Sequence, residues 1–341
     1  MTRVNATTRK AGALVLSLDF ELLWGVRDRP SAAVQRYREN LVGARRAIPL
    51  MLALMNEYEI AATWATVGFL FAASRDEVKR YFPVAKPQYK RQELSPYEDW
   101  GDGSLEAENL RYAPGLIAQI VETPRQEVGC HTFSHYYCLE PGQSKDEFQA
   151  DLESAVALAA KRGVQLRSLV YPRNQINPSY QHLLPKLGFT NYRGIEKGWM
   201  FESKPEIRNA PWRRAGRLAD QYWAVSEQRL TSWADLPVEP RLADVRGSLF
   251  LRPYSARLRA LEGVRLRRIT NAIKRAAATG RIFHLWWHPH NFGRNTAENL
   301  SFLRSIFETV AECRERWGFQ SLSMAQAAEI SLAARCEVSA A

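Results

Sequence analysis

Short apolar runs alternate along the chain with stretches in which apolar positions recur every three or four residues. The short runs Ala13–Leu18 (ALVLSL), Ala61–Thr66 (AATWAT), Glu127–Cys130, Leu166–Tyr171 (LRSLVY), Phe189–Tyr192 and Ile282–His288 read as buried strands. Helical stretches lie between them. Pro49 is expected to open a helix (PLMLALMNEY) and Pro114 another, each at the first helical position, where the missing N–H costs nothing. Ser144-Lys145-Asp146-Glu147 is a capping box; its helix is expected to run to about Arg162 and stop at Gly163. A helix from Pro178, a basic helix before Ile282, a helix from about Ala297 to Trp317 and a last short strand and helix complete the pattern. Residues 74–113 are polar and carry Pro83, Pro87 and Pro96, and residues 195–250 read as irregular and rich in Trp and Arg.

This alternation predicts an α/β fold with a parallel sheet, open or closed. A barrel is favoured because unusual polar residues gather at the predicted C-terminal ends of strands: Asp19 and Glu21, His131 and His135, Arg173, and His288. That rim is where β/α barrels place their chemistry. A single domain over residues 1–341 is expected, with insertions at about 74–113 and 195–280; at 341 residues the chain fits one such barrel.

Composition narrows the picture. Apolar residues make up 46% of the chain, which excludes a mostly disordered protein. Four cysteines without a CxxC pair read as free thiols in a reducing compartment. The N-terminus does not read as a signal peptide, and the longest near-continuous apolar stretch, Ala47–Met55, is far short of the roughly 20 residues a bilayer span needs. The expectation is a cytoplasmic protein, soluble or peripheral at a membrane surface.

The formal charge is +11, and most of it lies in residues 241–281, where eleven basic residues face two acids. Leu266, Ile269, Ile273 and Ala276 in this stretch form one helix face. The segment reads either as a solvated surface helix or as an attraction for an anionic lipid, a phosphate-linked carrier or an acidic glycan. No nucleic-acid motif accompanies the charge, so nucleic acid is not expected.

Three clusters carry candidate chemistry. His131-Thr132-Phe133-Ser134-His135 places two imidazoles four apart, on one side of a helical turn, within reach of one metal ion; a chance pair is the competing reading. Asp19 and Glu21 share a face at the end of the first strand in apolar surroundings, where an uncompensated carboxylate would resist ionisation; a metal ligand and a general base would account for both. His284, Trp286 and His288 share a face of a late strand. His284 reads as a core histidine and His288 as a proton donor, with His290 as a substitute. Arg173 is expected to orient a carboxylate or to form a surface ion pair.

The segments SLDFE, ATWATVGFLF, GCHTFSH, VYPRN and FHLWWHPH resemble, in order and spacing, the polysaccharide deacetylases, the NodB-homology group of carbohydrate esterase family 4. The resemblance spans strands within about 13–195 and 280–330. It implies a distorted (β/α)7 barrel, a divalent metal, most commonly zinc, on one carboxylate and two histidines, and removal of N-acetyl or N-formyl groups from amino sugars. Where the family usually has adjacent aspartates, Phe20 separates the two acids, so Asp19 is assigned as base and Glu21 as ligand with His131 and His135; the swapped assignment stays open. His288 and Arg173 complete the implied catalytic set. The family's arginine motif is altered here to PRN, and its Trp/Asp motif has no clear counterpart.

The substrate implied is an N-acylated amino sugar, an activated-sugar or saccharide intermediate of bacterial surface polysaccharide assembly. The alternatives are an amidohydrolase of a ureide or small amide, and a non-catalytic glycan-binding relative. Trp100, Trp199, Trp212, Trp223 and Trp233 are candidates for stacking on sugar rings.

Overall fold

The structure, a computed structural model, describes residues 10–98, 104–196, 211–223 and 229–340. Its strands are β1 (Ala13–Phe20), β2 (Ala62–Thr66), β3 (Gln126–Cys130), β4 (Ser168–Leu169), β5 (Asn191–Tyr192), β6 (Pro237–Glu239), β7 (Leu242–Asp244), β8 (Leu249–Phe250), β9 (Ile282–Trp287) and β10 (Gln320–Leu322). They form one sheet in the order β6-β7-β5-β4-β3-β2-β1-β9-β8, with β10 beside the start of β1. All neighbours are parallel except β6 and β7.

The sheet closes through residues 245–251. Val245 N–H donates to Tyr192 O (2.9 Å) and Gly247 N–H to Gly194 O (3.1 Å), on the β5 side. Ser248 N–H then donates to His284 O and Leu251 N–H to Trp286 O, both at 2.8 Å, on the β9 side. β7 and β8 are therefore two halves of one stave between β5 and β9. With β1 to β5 and β9 it makes the distorted (β/α)7 barrel that the motif resemblance implied.

The period-two alternation of β1 explains what lies inside. Leu14, Leu16, Leu18 and Phe20 join the large outer cluster with buried residues of the helices Ser31–Glu57 and Glu262–Thr279. Ala13 and Val15 join Ala65, Val170, Ala243, Val245 and Ile282 in a second cluster, against Met324, Ala327 and Ala328 of the C-terminal helix Met324–Ala340. Ser17 and Asp19 follow on the same face as Val15. The barrel interior thus changes from apolar at one end to ionisable at the other.

Several elements differ from expectation. Pro49 lies inside the helix Ser31–Glu57 and does not open it. The buried stripe Leu41, Ala44, Ala47, Ile48, Met51, Leu52 and Met55 runs through it, and its burial outweighs the roughly 3 kcal/mol an interior proline costs. The Pro178 segment forms two short 3-10 turns, Pro178–Leu183 and Pro185–Leu187, because Pro185 interrupts it. Residues 195–250 are not wholly irregular: they supply the helix Pro211–Trp223 and β6 to β8. Residues 74–113 bury Tyr89, Leu94, Tyr97 and Tyr112. The Ser144/Glu147 capping box and the left-handed Gly163 (φ 73°) bound the helix Lys145–Lys161 as expected.

The basic segment is partly neutralised within the fold. Arg246 pairs with Asp244 (2.5 Å), Arg268 with Asp220 (3.1 Å), Lys274 with Glu312 (3.4 Å) and Arg265 with Glu262. Cys130, Cys138 and Cys313 are buried and unpaired. Among the described residues, no helix is long and apolar enough to cross a membrane.

Candidate metal centre and active site

Glu21 follows β1, and His131 and His135 follow β3. Glu21 Oε2 lies 3.3 Å from His131 Nε2 and 3.1 Å from His135 Nε2, all three residues being buried. The tautomers follow from the other ring nitrogens. His131 Nδ1 is 2.8 Å from the Val170 carbonyl, which can only accept, so Nδ1 carries the proton. His135 Nδ1 is 3.1 Å from the Tyr137 hydroxyl, which stands 3.0 Å from Asp28 Oδ2 and donates there. Burial pushes His135 down to about 4, so its ring is neutral near pH 7.

Two imidazole lone pairs and a carboxylate oxygen therefore face one another, and His131 Nε2 is buried with no hydrogen-bond partner. Three acceptors converging with no donor between them is a donor set for a cation. One carboxylate and two imidazoles, each with its outer nitrogen anchored, match the ligand chemistry of a divalent metal such as zinc.

The imidazoles meet on a loop, not on a helical turn as the spacing alone had implied. Thr132 (φ 60°) and His135 (φ 59°) are left-handed, a conformation non-glycine residues adopt only when their surroundings impose it. The fully buried Asp151, on helix Lys145–Lys161, accepts the Phe133 N–H at 2.7 Å, the Ser134 N–H at 3.2 Å and the Ser134 hydroxyl. Tyr136 N–H bonds Thr132 Oγ1 at 2.7 Å. On its other side the loop lies on Gly68, where an added Cβ would stand 2.7 Å from Phe133 Cα.

Asp19 lies outside this trio. Arg193, just past β5, grips it with two parallel bonds, Nη1 to Oδ1 at 2.6 Å and Nη2 to Oδ2 at 2.8 Å. Burial pushes the Asp19 carboxyl up, but the Arg193 charge and bonds outweigh it and hold the group below the usual carboxylate range. Arg193 also donates to Ser17 Oγ (3.0 Å) and Asn174 Oδ1 (3.2 Å) and stacks 4.1 Å over the Trp286 ring. His284 Nδ1–H donates to Val245 O (3.0 Å), leaving Nε2 to accept the Ser17 hydroxyl at 2.8 Å. His284 is the core histidine that the sequence suggested.

His288 is also at the site: Nε2 stands 3.7 Å from Asp19 Oδ2 and 3.6 Å from Glu21 Oε1, and its side chain is 26% exposed. His290 is fully buried and pushed down to about 3 by that burial, with its ring 5.2 Å from His288. Arg173 reaches the same pocket, but the carboxylate it pairs with is Asp28. Arg173 thus pairs with a carboxylate as expected, and Arg193 is the arginine on Asp19. Arg173 is left-handed (φ 54°) at the start of its turn, which carries its guanidinium over the Tyr137 ring at 4.3 Å. Sequence reading missed Arg193, although it stands directly after a predicted strand, the position that marked the other site residues.

Asp19, Glu21, His135, Arg173, Asn174 and His288 line a cavity of about 410 Å³ together with Arg29, Glu196, Arg217, Gln221, Phe250, Arg252 and Trp286. The aromatic wall is Trp286 and Phe250, with rings 4.7 Å apart. None of the five tryptophans singled out from the sequence is among these residues. Trp233 is buried and bonds Ala11 O, and Trp212 is 56% exposed. Trp100, Trp199 and the side chain of Trp223 lie outside what is described.

A closed parallel barrel with a Glu-His-His cluster and an arginine-bound aspartate at its C-terminal rim defines a class of metal-competent hydrolase scaffold. The polysaccharide deacetylase family model matches residues 42–192, in agreement with the motif resemblance. In fold the chain is similar to a Mycobacterium smegmatis protein described as a polysaccharide deacetylase (14% identity, TM-score 0.60, covering 96% of this chain and 92% of that one). It is similar also to a Pseudomonas aeruginosa PAO1 protein so described (9%, 0.54, covering 94% and 90%) and to Puue allantoinase (11%, 0.53, covering 94% and 89%). No curated protein matches the chain in sequence.

Proposed function

We propose that this protein is a metal-dependent N-deacetylase or N-deformylase of an amino sugar, serving bacterial surface polysaccharide assembly. The observation that carries this reading is the convergence of Glu21 Oε2, His131 Nε2 and His135 Nε2, with His131 Nε2 otherwise unpartnered. Glu21, His131 and His135 would hold a divalent cation, zinc in this reading, whose chemistry when bound is to polarise an acyl carbonyl and acidify water.

The remaining work falls to the chain. Asp19, kept ionised by Arg193, accepts a proton from water. Its depressed pKa makes it a weaker base but leaves it ionised at every working pH. His288 Nε2, within 3.7 Å of both carboxylates, returns a proton to the departing nitrogen. Trp286 and Phe250 offer a face to a sugar ring. Arg173 fixes Asp28 and thereby the Tyr137 hydroxyl that anchors His135.

The test is acetate or formate release from N-acylated amino sugars, with metal content measured on the same samples. His131→Ala is expected to lose metal and turnover together. Asp19→Asn is expected to retain metal and lose turnover 10²-fold or more; loss of metal in Asp19→Asn would assign Asp19 as the ligand. The fold likeness to an allantoinase makes allantoin the control substrate for the ureide reading. Saccharide binding without turnover would identify a non-catalytic relative.

A further inference from the structure

We propose that the pocket seats a phosphate ester of the substrate on Arg29 and Arg252. The identity of the remaining ligand rests on the amino-sugar reading above, whereas the anion site does not. Both arginines line the same cavity as Asp19, Glu21 and His288. Of the other guanidiniums at the site, Arg193 is committed to Asp19 and Arg173 to Asp28, and Arg217 also lines the cavity. Among the described residues, Arg29 and Arg252 form no ion pair with a carboxylate. The neighbouring Asp28 bonds Arg173 and Tyr137 through Oδ2 and forms no ion pair with Arg29.

The guanidinium of Arg29 and the backbone of Arg252 are placed by their surroundings. Arg29 lies 5.3 Å over the Tyr37 ring, which packs edge-on against buried His290 at 5.9 Å. A guanidinium on an aromatic face keeps its N–H edges for another partner. Arg252 is half-buried directly after Leu251, whose N–H bonds Trp286 O (2.8 Å), and its own carbonyl accepts from Arg265. Tyr254 N–H is held by Asn299 Oδ1 at 2.7 Å, so the backbone is fixed on both sides of Arg252. Arg29 is exposed and Arg252 half-buried, so both are open to an anion entering the cavity. Two guanidiniums from separate elements suit a group with several charged oxygens better than a single carboxylate, which one fork satisfies.

The probe is inorganic phosphate, titrated calorimetrically into the metal-loaded protein and into its Arg29→Ala/Arg252→Ala variant. The variant is expected to bind at least tenfold more weakly, with a smaller dependence on salt; Arg29→Lys/Arg252→Lys is expected to fall between. Equal affinity in wild type and a folded alanine variant would overturn the site. N-acetylglucosamine 1-phosphate and methyl N-acetylglucosaminide form the second arm, and the alanine variant is expected to raise KM for the phosphorylated sugar at least tenfold. If neither sugar is hydrolysed, the deacetylase reading has failed for these substrates, and the phosphate titration still decides the anion site. Phosphatidylglycerol vesicles that compete with the sugar phosphate would assign the phosphate to a lipid-linked substrate, and absence of competition to a soluble one.

Discussion

At the scale of single residues, the site depends on the balance struck at Asp19. Burial alone would favour its neutral form, and Arg193 reverses that preference with charge and two hydrogen bonds. Arg193→Met should therefore raise the Asp19 pKa. The acid limb of the kcat/KM profile should move to higher pH, with activity near neutrality reduced; an unmoved acid limb would show that Asp19 is not the group read there. Asp19, Glu21, His131, His135 and His288 were legible because each lies in a short pattern at the end of an apolar run. Arg193 was not, because its partner is 174 positions away and only barrel closure brings them together. Arg173 looked equally eligible, and its partner Asp28, 145 positions distant, was just as invisible.

At the scale of elements, the loop between the two imidazoles is held from helix Lys145–Lys161. Asp151 takes three donors from that loop, and the capping box at Ser144 fixes where the helix begins. Asp151→Ala would leave the Phe133 and Ser134 N–H groups buried without acceptors, at roughly 1–3 kcal/mol each. The expected outcome is a lower melting temperature and a metal affinity reduced about 10–100-fold, the usual effect of removing an outer support. Unchanged metal affinity in a folded variant would show the loop to be self-supporting. The capping box was readable because its signal is local. The true start of helix Ser31–Glu57 was hidden by Pro49, which sequence rules place at a helix start while tertiary burial placed it inside. β4 and β5, at two residues each, are too short for a periodicity to declare their ends.

For the whole molecule, burial of neutral histidines sets the response to acid. His135 is held down to about 4, and His284 and His290 to about 3, each chiefly by burial. An unfolded chain would protonate all three near 6.5, so between about pH 6 and 4 it binds more protons than the native state. Stability should fall with decreasing pH there, by up to about 1.4 kcal/mol per unit for each histidine, offset in part by Asp151, whose carboxyl burial pushes up to about 7 so that the native state takes its proton first. Asp19, with a depressed pKa, adds its loss only below about pH 4. Urea midpoints measured from pH 7 to 4 test this, and a flat profile would contradict native-state burial of neutral rings. The alternation of elements announced the barrel, but its closure was not readable, because the last stave is split between two short strands inside a stretch that looked irregular.

That split stave has an architectural consequence. Residues 242–251 are stitched to β5 on one side and β9 on the other, and the sequence between Gly194 and β6 contributes, among its described residues, the helix Pro211–Trp223 and the Thr231–Ile282 bridge to β9. Ile195, Glu196, Arg217 and Gln221 of this stretch line the cavity, and Glu21, His131 and His135 come from elsewhere in the chain. Grafting the corresponding stretch from a relative is expected to transplant ligand preference while leaving the Glu21, His131 and His135 cluster intact, which substrate profiling and metal content of the chimaera would check.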